Sequence, residues 1–224
     1  QNGFEPQMYL NINDSELFAG SMSYQDYCRV RGVYIGDMFY LVTEKGIVSM
    51  NYATIKPVDI ANGPGVRVSL FVSGCTHRCK GCFNEQTWDF NYGNLWTPEL
   101  EQFFIDTLAK PFYDGMTILG GEPFEPENQP EVAGLISRVR RELPEKNIWI
   151  YTGFVYDRDL VPGGRKYTDY TDQILDQTDI LIDGPFVLEE KDIRLKFRGS
   201  RNQRILDMKQ TRKSGQIVLS PLNK

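Results

Sequence analysis

The sequence predicts an α/β fold on a mostly parallel sheet, with a small β-rich extension at its amino end. Three observations carry this. From Val66 onward, short apolar runs alternate with stretches of helical period, as strands joined by helical crossovers do. Most of these runs end in a glycine-containing turn, which marks where a buried strand stops. Before residue 50 the helical period is missing, and β-branched and aromatic residues cluster instead.

Taken in order, Tyr27 to Ile35 and Met38 to Thr43 read as a hairpin about Gly36-Asp37, with Glu44-Lys45-Gly46 turning toward a third strand near Ile47-Val48. Gln1 to Ser23 has no clear period and reads as loosely ordered. Val66 to Val72 is a strand, and a cysteine-rich loop follows it directly. Thr97-Pro98 starts a helix, with a capping hydroxyl before a proline at the first helical position. Leu100, Phe103, Phe104 and Leu108 then share one face. Met116 to Leu119 is a buried strand closed by Gly120-Gly121. Val132, Leu135, Ile136, Val139 and Leu143 form the next helical face, with Arg138, Arg140 and Arg141 largely outside. Ile148 to Tyr151 is a strand ending at Thr152-Gly153, a weaker helix covers about Thr168 to Gln177, and Ile180 to Ile182 is the last strand. The division expected is an extension over 1–49, a main domain over 50–205 and a basic tail over 206–224.

Strand–helix alternation of this kind winds a parallel sheet with right-handed crossovers, and active sites lie at the carboxyl ends of such strands. The cysteine loop, Gly120-Gly121, Thr152-Gly153 and Asp183-Gly184 all fall at those ends.

Composition narrows the function classes. With 224 residues, 41% hydrophobic and 25% charged, the chain is ordinary globular matter able to bury a sizeable core. No apolar run approaches the roughly 20 residues that span a bilayer, so no membrane partner is expected. Gln1 to Leu10 is not basic-then-apolar, and with reduced thiols this points to a cytoplasmic location. The net charge of −5 is uneven: Lys191 to Lys213 holds nine basic and two acidic residues. Such a run reads as a solvated face, a partner-docking patch or an anion site. Nucleic acid is not expected as a partner, because the chain is acidic and the run lacks regular aromatic interleaving.

The chemistry concentrates in Ser73-Gly74-Cys75-Thr76-His77-Arg78-Cys79-Lys80-Gly81-Cys82-Phe83-Asn84. Cys75, Cys79 and Cys82 match three corners of a [4Fe-4S] cluster, which takes four cysteines when the protein ligates it fully. The fourth iron is then open to a ligand that is not protein. On spacing alone, a zinc knuckle completed by His77 and an inert loop stay open beside the cluster. A disulfide framework is disfavoured by the odd number of thiols and by the absence of a secretory leader. Glycines at Gly120-Gly121-Glu122-Pro123 let backbone approach a ligand closely. A ligand that fills an open iron and lies along a glycine edge should carry an amine and a carboxylate, and S-adenosylmethionine fits.

These motifs resemble the radical S-adenosylmethionine superfamily, with the three-cysteine loop and Gly120-Gly121-Glu122-Pro123 as its two signatures. Within it, Met50 to about Ile205, roughly 155 residues, is similar to the family of anaerobic ribonucleoside-triphosphate reductase activating proteins. The matching stretches are Pro57 to Gly65, Leu70 to Cys75, Gly81 to Asn84, Thr87-Trp88, Ile148 to Gly153, Asp183-Gly184 and Arg198 to Arg204. The resemblance implies a partial (βα) barrel. It implies that Cys75, Cys79 and Cys82 hold the cluster, that the Gly120-Gly121-Glu122 motif takes the methionine end of S-adenosylmethionine, and that Gly81, Cys82 and Phe83 border the adenine. Phe83 stands where that branch usually carries Tyr. The implied partners are a flavodoxin-like or ferredoxin-like electron donor and the large subunit of the reductase. The implied reaction yields methionine and a 5′-deoxyadenosyl radical, which removes one Cα hydrogen from a glycine of that subunit.

Other residues are read less specifically. Asn62-Gly63-Pro64-Gly65 is a turn or a receiver of the glycine loop. Thr152 contacts the ribose or ends its strand. Trp88 and Trp149 read as core, His77 as exposed between ligands, and Cys28 as a packed thiol. Arg198 to Arg204 reads as a contact for the partner or for the cofactor carboxylate. Two rival functions are activation of another glycyl-radical enzyme, formate-lyase-like, and a zinc-stabilised binding module.

Overall fold

The computed structural model describes residues 30–35, 38–43, 46–47 and 50–223. The chain divides into two compact units, Gln1–Val48 and Ser49–Lys224. The expectations for Gln1 to Ser23 and Cys28 lie outside the described residues. In the first unit, β1 (Val30–Ile35), β2 (Met38–Thr43) and β3 (Gly46–Ile47) pair antiparallel in that order. Ile35 pairs with Met38, and Val42 pairs with Ile47.

The larger unit is a seven-stranded sheet. Its strands are β4 (Asn51–Asp59), β5 (Arg67–Val72), β6 (Asn94–Leu95), β7 (Gly115–Gly120), β8 (Asn147–Tyr151), β9 (Ile180–Asp183) and β10 (Arg204–Asp207). They lie in the order β10-β9-β8-β7-β5-β4-β6. The pairs β5–β7, β7–β8 and β8–β9 are parallel, and β4, β6 and β10 add antiparallel flanks. The fold is therefore mixed α/β with a parallel centre, and the strand order runs from edge to edge without closing.

The parallel strands stand where their apolar runs predicted them, because a strand covered on both faces is apolar along most of its length. All six residues of β5 are buried. The flanking strands were not anticipated. β4 carries Pro57, a single buried residue and two register shifts against β5, which erase a period-2 signal. The expected boundary at 205 falls inside β10, and Ile205, Leu206 and Met208 are fully buried.

The helices are α1 (Pro98–Leu108), α2 (Gln129–Glu142), α3 (Tyr156–Asp159), α4 (Thr171–Gln177) and α5 (Met208–Ser214). Thr97 caps α1 as expected, its Oγ1 accepting from the Leu100 amide at 3.3 Å ahead of Pro98. Val132, Leu135, Ile136 and Val139 of α2 are fully buried. Arg140 departs from its expected outside position. It is half-buried and donates to the Gln177 and Lys146 carbonyls and to Asp179 Oδ2. α5 is capped by the Asp207 carboxylate and stopped by Gly215 at φ +68°.

Alternation along the strands makes two cores. Val68, Leu70, Met116, Ile118, Ile148 and Ile150 pack with the apolar faces of α1, α2 and α4. Trp149, Ile182 and Ile205 point the other way, against Phe197 and Leu222. Trp149 is thus core, as expected, with Phe197 edge-on at 5.4 Å.

Candidate active site

Parallel register brings the carboxyl ends of β5, β7, β8 and β9 to one rim, and the predicted residues meet there. Cys75, Cys79, Cys82, Gly81 and Phe83 border a single cavity of about 260 Å³. Gly120, Gly121, Glu122 and Thr152, from two other loops, border the same cavity. Cys75 is buried, Cys79 and Cys82 are half-buried, and none of the three is in a disulfide. Phe83 is 92% exposed, so it stands at the mouth.

The two glycines after β7 are required by packing. Gly120 has φ +109°, and a Cβ there would lie 2.7 Å from Phe71 Cα. A Cβ on Gly121 would lie 2.6 Å from the Gly74 carbonyl oxygen, inside the cysteine loop. Gly121 donates its amide to Val72, and Glu122 donates its amide to Gly74, each at 2.8 Å. The glycine edge therefore lies directly against the loop that carries the thiols.

Glu122 binds three loops together. It is 1% exposed. Its Oε1 accepts from the Thr152 hydroxyl at 2.8 Å and the Phe124 amide at 2.9 Å. Its Oε2 accepts from the Gly153 amide at 2.7 Å and pairs with His77 Nε2 at 3.1 Å. The carboxylate thus lines the cavity while all of these protein donors converge on it. Thr152 is engaged in the same way, donating to Glu122 and accepting from the Phe154 amide at 3.0 Å. His77 departs from the exposed position expected of it. Its side chain is 11% exposed and lies tilted against the Phe154 ring, with centroids 4.2 Å apart.

Burial pushes the Cys75 thiol up to about 12, with the Glu122 charge adding to the effect. Burial also raises Cys79. A metal centre reverses this preference, since a coordinating thiol gives up its proton outright. The donor set suits a polynuclear centre. The three thiols border one cavity, and His77 turns its Nε2 to Glu122. A further sign is Trp88, which borders the cavity with a buried indole N–H that has no protein partner. Leaving such a donor unmet costs about 1–3 kcal/mol.

The model of the 4Fe-4S single cluster domain family matches residues 61–206. The anaerobic ribonucleoside-triphosphate reductase-activating protein of Vibrio cholerae serotype O1 is 41% identical over 158 residues, which is 69% of this chain and 96% of that protein. The protein of the same name from Escherichia coli strain K12 is 41% identical over 156 residues, again 69% and 96%. That of Enterobacteria phage T4 is 40% identical over 159 residues, 70% of this chain and 93% of that protein. This chain belongs to the family of anaerobic ribonucleoside-triphosphate reductase-activating proteins. The resemblance drawn from its motifs therefore holds.

Several residues that build this activating-protein site carried no signal in the sequence. Glu125, fully buried, accepts from the Thr76 amide at 2.8 Å and hydroxyl at 2.6 Å, and pairs with Lys166 at 2.6 Å. Burial alone would raise its carboxyl, but Lys166 and Thr76 outweigh that and hold it below the usual carboxylate range. Asn128 donates to the Ser73 and Glu122 carbonyls, both at 2.9 Å. The hint in both cases was a polar residue between a glycine edge and an apolar helix, which reads equally well as a cap.

The basic run is largely neutralised within the chain. Arg194 and Arg201 pair with Asp192, Arg204 with Asp183 and Asp157, Lys209 with Asp179, and Arg212 with Asp172 and Asp176. Arg198 donates to the Gln203 carbonyl at 2.8 Å and to Asn223. Asn62-Gly63-Pro64-Gly65 lies by the amino ends of the strands, where Asn62 and Pro64 offer carbonyls to Thr117 and Arg67. Among the described residues, no helix is long and apolar enough to cross a membrane.

Proposed function

We infer that this chain is a radical S-adenosylmethionine activating enzyme that generates a glycyl radical on the large subunit of anaerobic ribonucleoside-triphosphate reductase. The observation that carries the reading is the meeting of three unpaired thiols with the Gly120-Gly121 edge around one cavity. It is supported by relatives of that printed name, which the chain matches over 96% of their length.

Cys75, Cys79 and Cys82 hold the [4Fe-4S] cluster. When bound, the cluster supplies a low-potential electron and an open iron, with which S-adenosylmethionine is cleaved to give hydrogen-abstracting power. The chain's own residues do the rest. Gly120 and Gly121 present backbone to the methionine end, and Gly81 and Cys82 border the adenine with Phe83 at the mouth. Glu122, Thr152 and Glu125 keep the loops in register. Leu119 and Tyr151 line the inner wall and limit water there. The parallel half of the sheet forms a partial barrel around this cavity. Residues 50–205 carry the activase chemistry, 206–224 follow as the carboxyl-terminal segment, and 1–49 are an extension that the chemistry does not need. The electron donor is flavodoxin-like or ferredoxin-like, and the protein works in the cytoplasm.

The test is anaerobic reconstitution with iron and sulfide, then reduction with S-adenosylmethionine and the large subunit. About four irons per chain, 5′-deoxyadenosine formation and a glycyl doublet in the reductase are expected. A doublet that forms only in a formate-lyase-like enzyme would reassign the partner. One zinc and no iron would make the chain a binding module.

A further inference from the structure

We propose that the Trp88 indole N–H donates a hydrogen bond to a sulfur at the Cys75 corner of the cluster and raises its reduction potential. The inference rests on the activase reading and concerns a residue that reading leaves unused.

The donor has no acceptor within the protein. Its Nε1 is buried without a partner, although a buried tryptophan usually finds one. The two buried carboxylates of this rim are engaged elsewhere. Glu122 accepts from Thr152, Gly153 and Phe124, and pairs with His77. Glu125 is held by Thr76 and Lys166. The sulfurs remain.

Position points to the same corner. A second hollow lies beside the cysteine loop, bordered by Thr76, Arg78 and Asp89. Cys75 and Trp88 are the two residues that border both this hollow and the thiol cavity, so they stand together in the wall between them. The backbone fixes that pairing. The Cys75 amide donates to the Trp88 carbonyl at 3.3 Å, and the Gly74 amide donates to Thr87 at 2.8 Å. Thr87 is anchored in turn, its hydroxyl donating to the Asn84 carbonyl at 2.7 Å. The Trp88 backbone therefore cannot drift from the first cysteine without breaking the loop's own bonds.

The consequence is electrostatic. Reduction adds one electron to the cluster and no proton, and most of that charge lies on iron and sulfur. A fixed N–H directed at a sulfur stabilises the reduced form more than the oxidised one, which makes reduction easier.

The test is Trp88→Phe, which keeps the ring and removes the N–H. Iron content is read first, then the reduced cluster is followed by spin resonance during titration with dithionite and mediators. The variant should hold about four irons, and its ratio of reduced to oxidised cluster at a set potential should fall about tenfold, equivalent to about 59 mV for one electron. A loaded variant whose ratio moves less than about twofold overturns this inference and leaves the activase reading standing. A change in S-adenosylmethionine affinity alone, with the potential unmoved, likewise overturns it. A second measurement uses the unaltered protein, so it does not depend on the variant loading iron. With indole-¹⁵N tryptophan incorporated, the reduced cluster should show a ¹⁵N hyperfine coupling, and its absence overturns the inference. Unaltered protein that takes up no iron overturns both this inference and the reading beneath it.

Discussion

At the amino-end rim of the sheet, the fully buried Arg67 reaches five acceptor atoms: Thr117 Oγ1 at 2.7 Å, Asn147 Oδ1 at 2.6 Å, and the Met116, Pro64 and Asn147 carbonyls. At the carboxyl-end rim, the buried Glu122 and Glu125 are met by donors from three loops. One rim gathers acceptors around a cation, and the other gathers donors around anions. They differ in what is left over. The guanidinium has five N–H groups and five acceptors, so nothing there is free to bind. At the opposite rim the carboxylates are satisfied, yet three thiols outside any disulfide, and an indole N–H with no protein partner, border one cavity. The same device, buried charge with its partners supplied, closes one end and rigidifies the other around unused ligands.

The comparison fails most visibly if the unused ligands are not needed. Changing Cys75, Cys79 or Cys82 to Ala should abolish 5′-deoxyadenosine formation from S-adenosylmethionine, measured by chromatography after anaerobic reduction. Turnover at the parent rate in any of the three would remove the basis of the site.

Next in size is Arg67→Met. It strands several buried acceptors, so unfolding in urea should show a loss of roughly 3 kcal/mol or more. Whatever fraction folds should still take up iron normally, because the change is at the other rim. Burial already pushes the Arg67 guanidinium down to about 10, which shows how little solvent reaches it. Glu122→Gln should reverse the pattern. It turns an amide toward two of the donors, costing about 2 kcal/mol, and iron should leave to a chelator several-fold faster than from the parent. Equal iron retention in the two variants would mean the rims are not specialised.

The smallest effect comes from a carboxylate outside both rims. Burial, with Glu101 nearby, pushes Glu131 on α2 up to about 7 from 4.5. The folded state then binds more protons than the unfolded one between about pH 4.5 and 7, so stability falls as pH rises through that window. Glu131→Gln should remove this fall and gain on the order of 1 kcal/mol at pH 8, read as urea midpoints at pH 5 and pH 8. A midpoint difference as large as the parent's would show that Glu131 is not the group responsible.

The parallel strands were legible because a doubly covered strand reads as a nearly continuous apolar run, as β5 and β7 do apart from Arg67, Ser69 and Thr117. The flanks were not. β4 and β10 are held by pairing with β5 and β9, and their own residues carry no matching period. At the site, the thiols and the glycine edge stood out because their spacing in the chain is itself the signal. His77 was misplaced because its environment comes from Glu122 and Phe154, 45 and 77 residues further on. Trp88 was read as core because an aromatic residue signals burial, and burial alone does not show which of its atoms has a partner.

By itself, the sequence determined the alternation of strands and helices, the three thiols in one loop and the family to which they belong. All of these are local, since period and spacing are properties of neighbours along the chain. Only the tertiary structure decided that Glu122 is held by the protein, that most of the basic run is paired with carboxylates of the same chain, and that Trp88 is left with a donor to offer. Those outcomes depend on which acceptors and donors the fold brings within about 3 Å of each other, and residues distant in sequence set that distance.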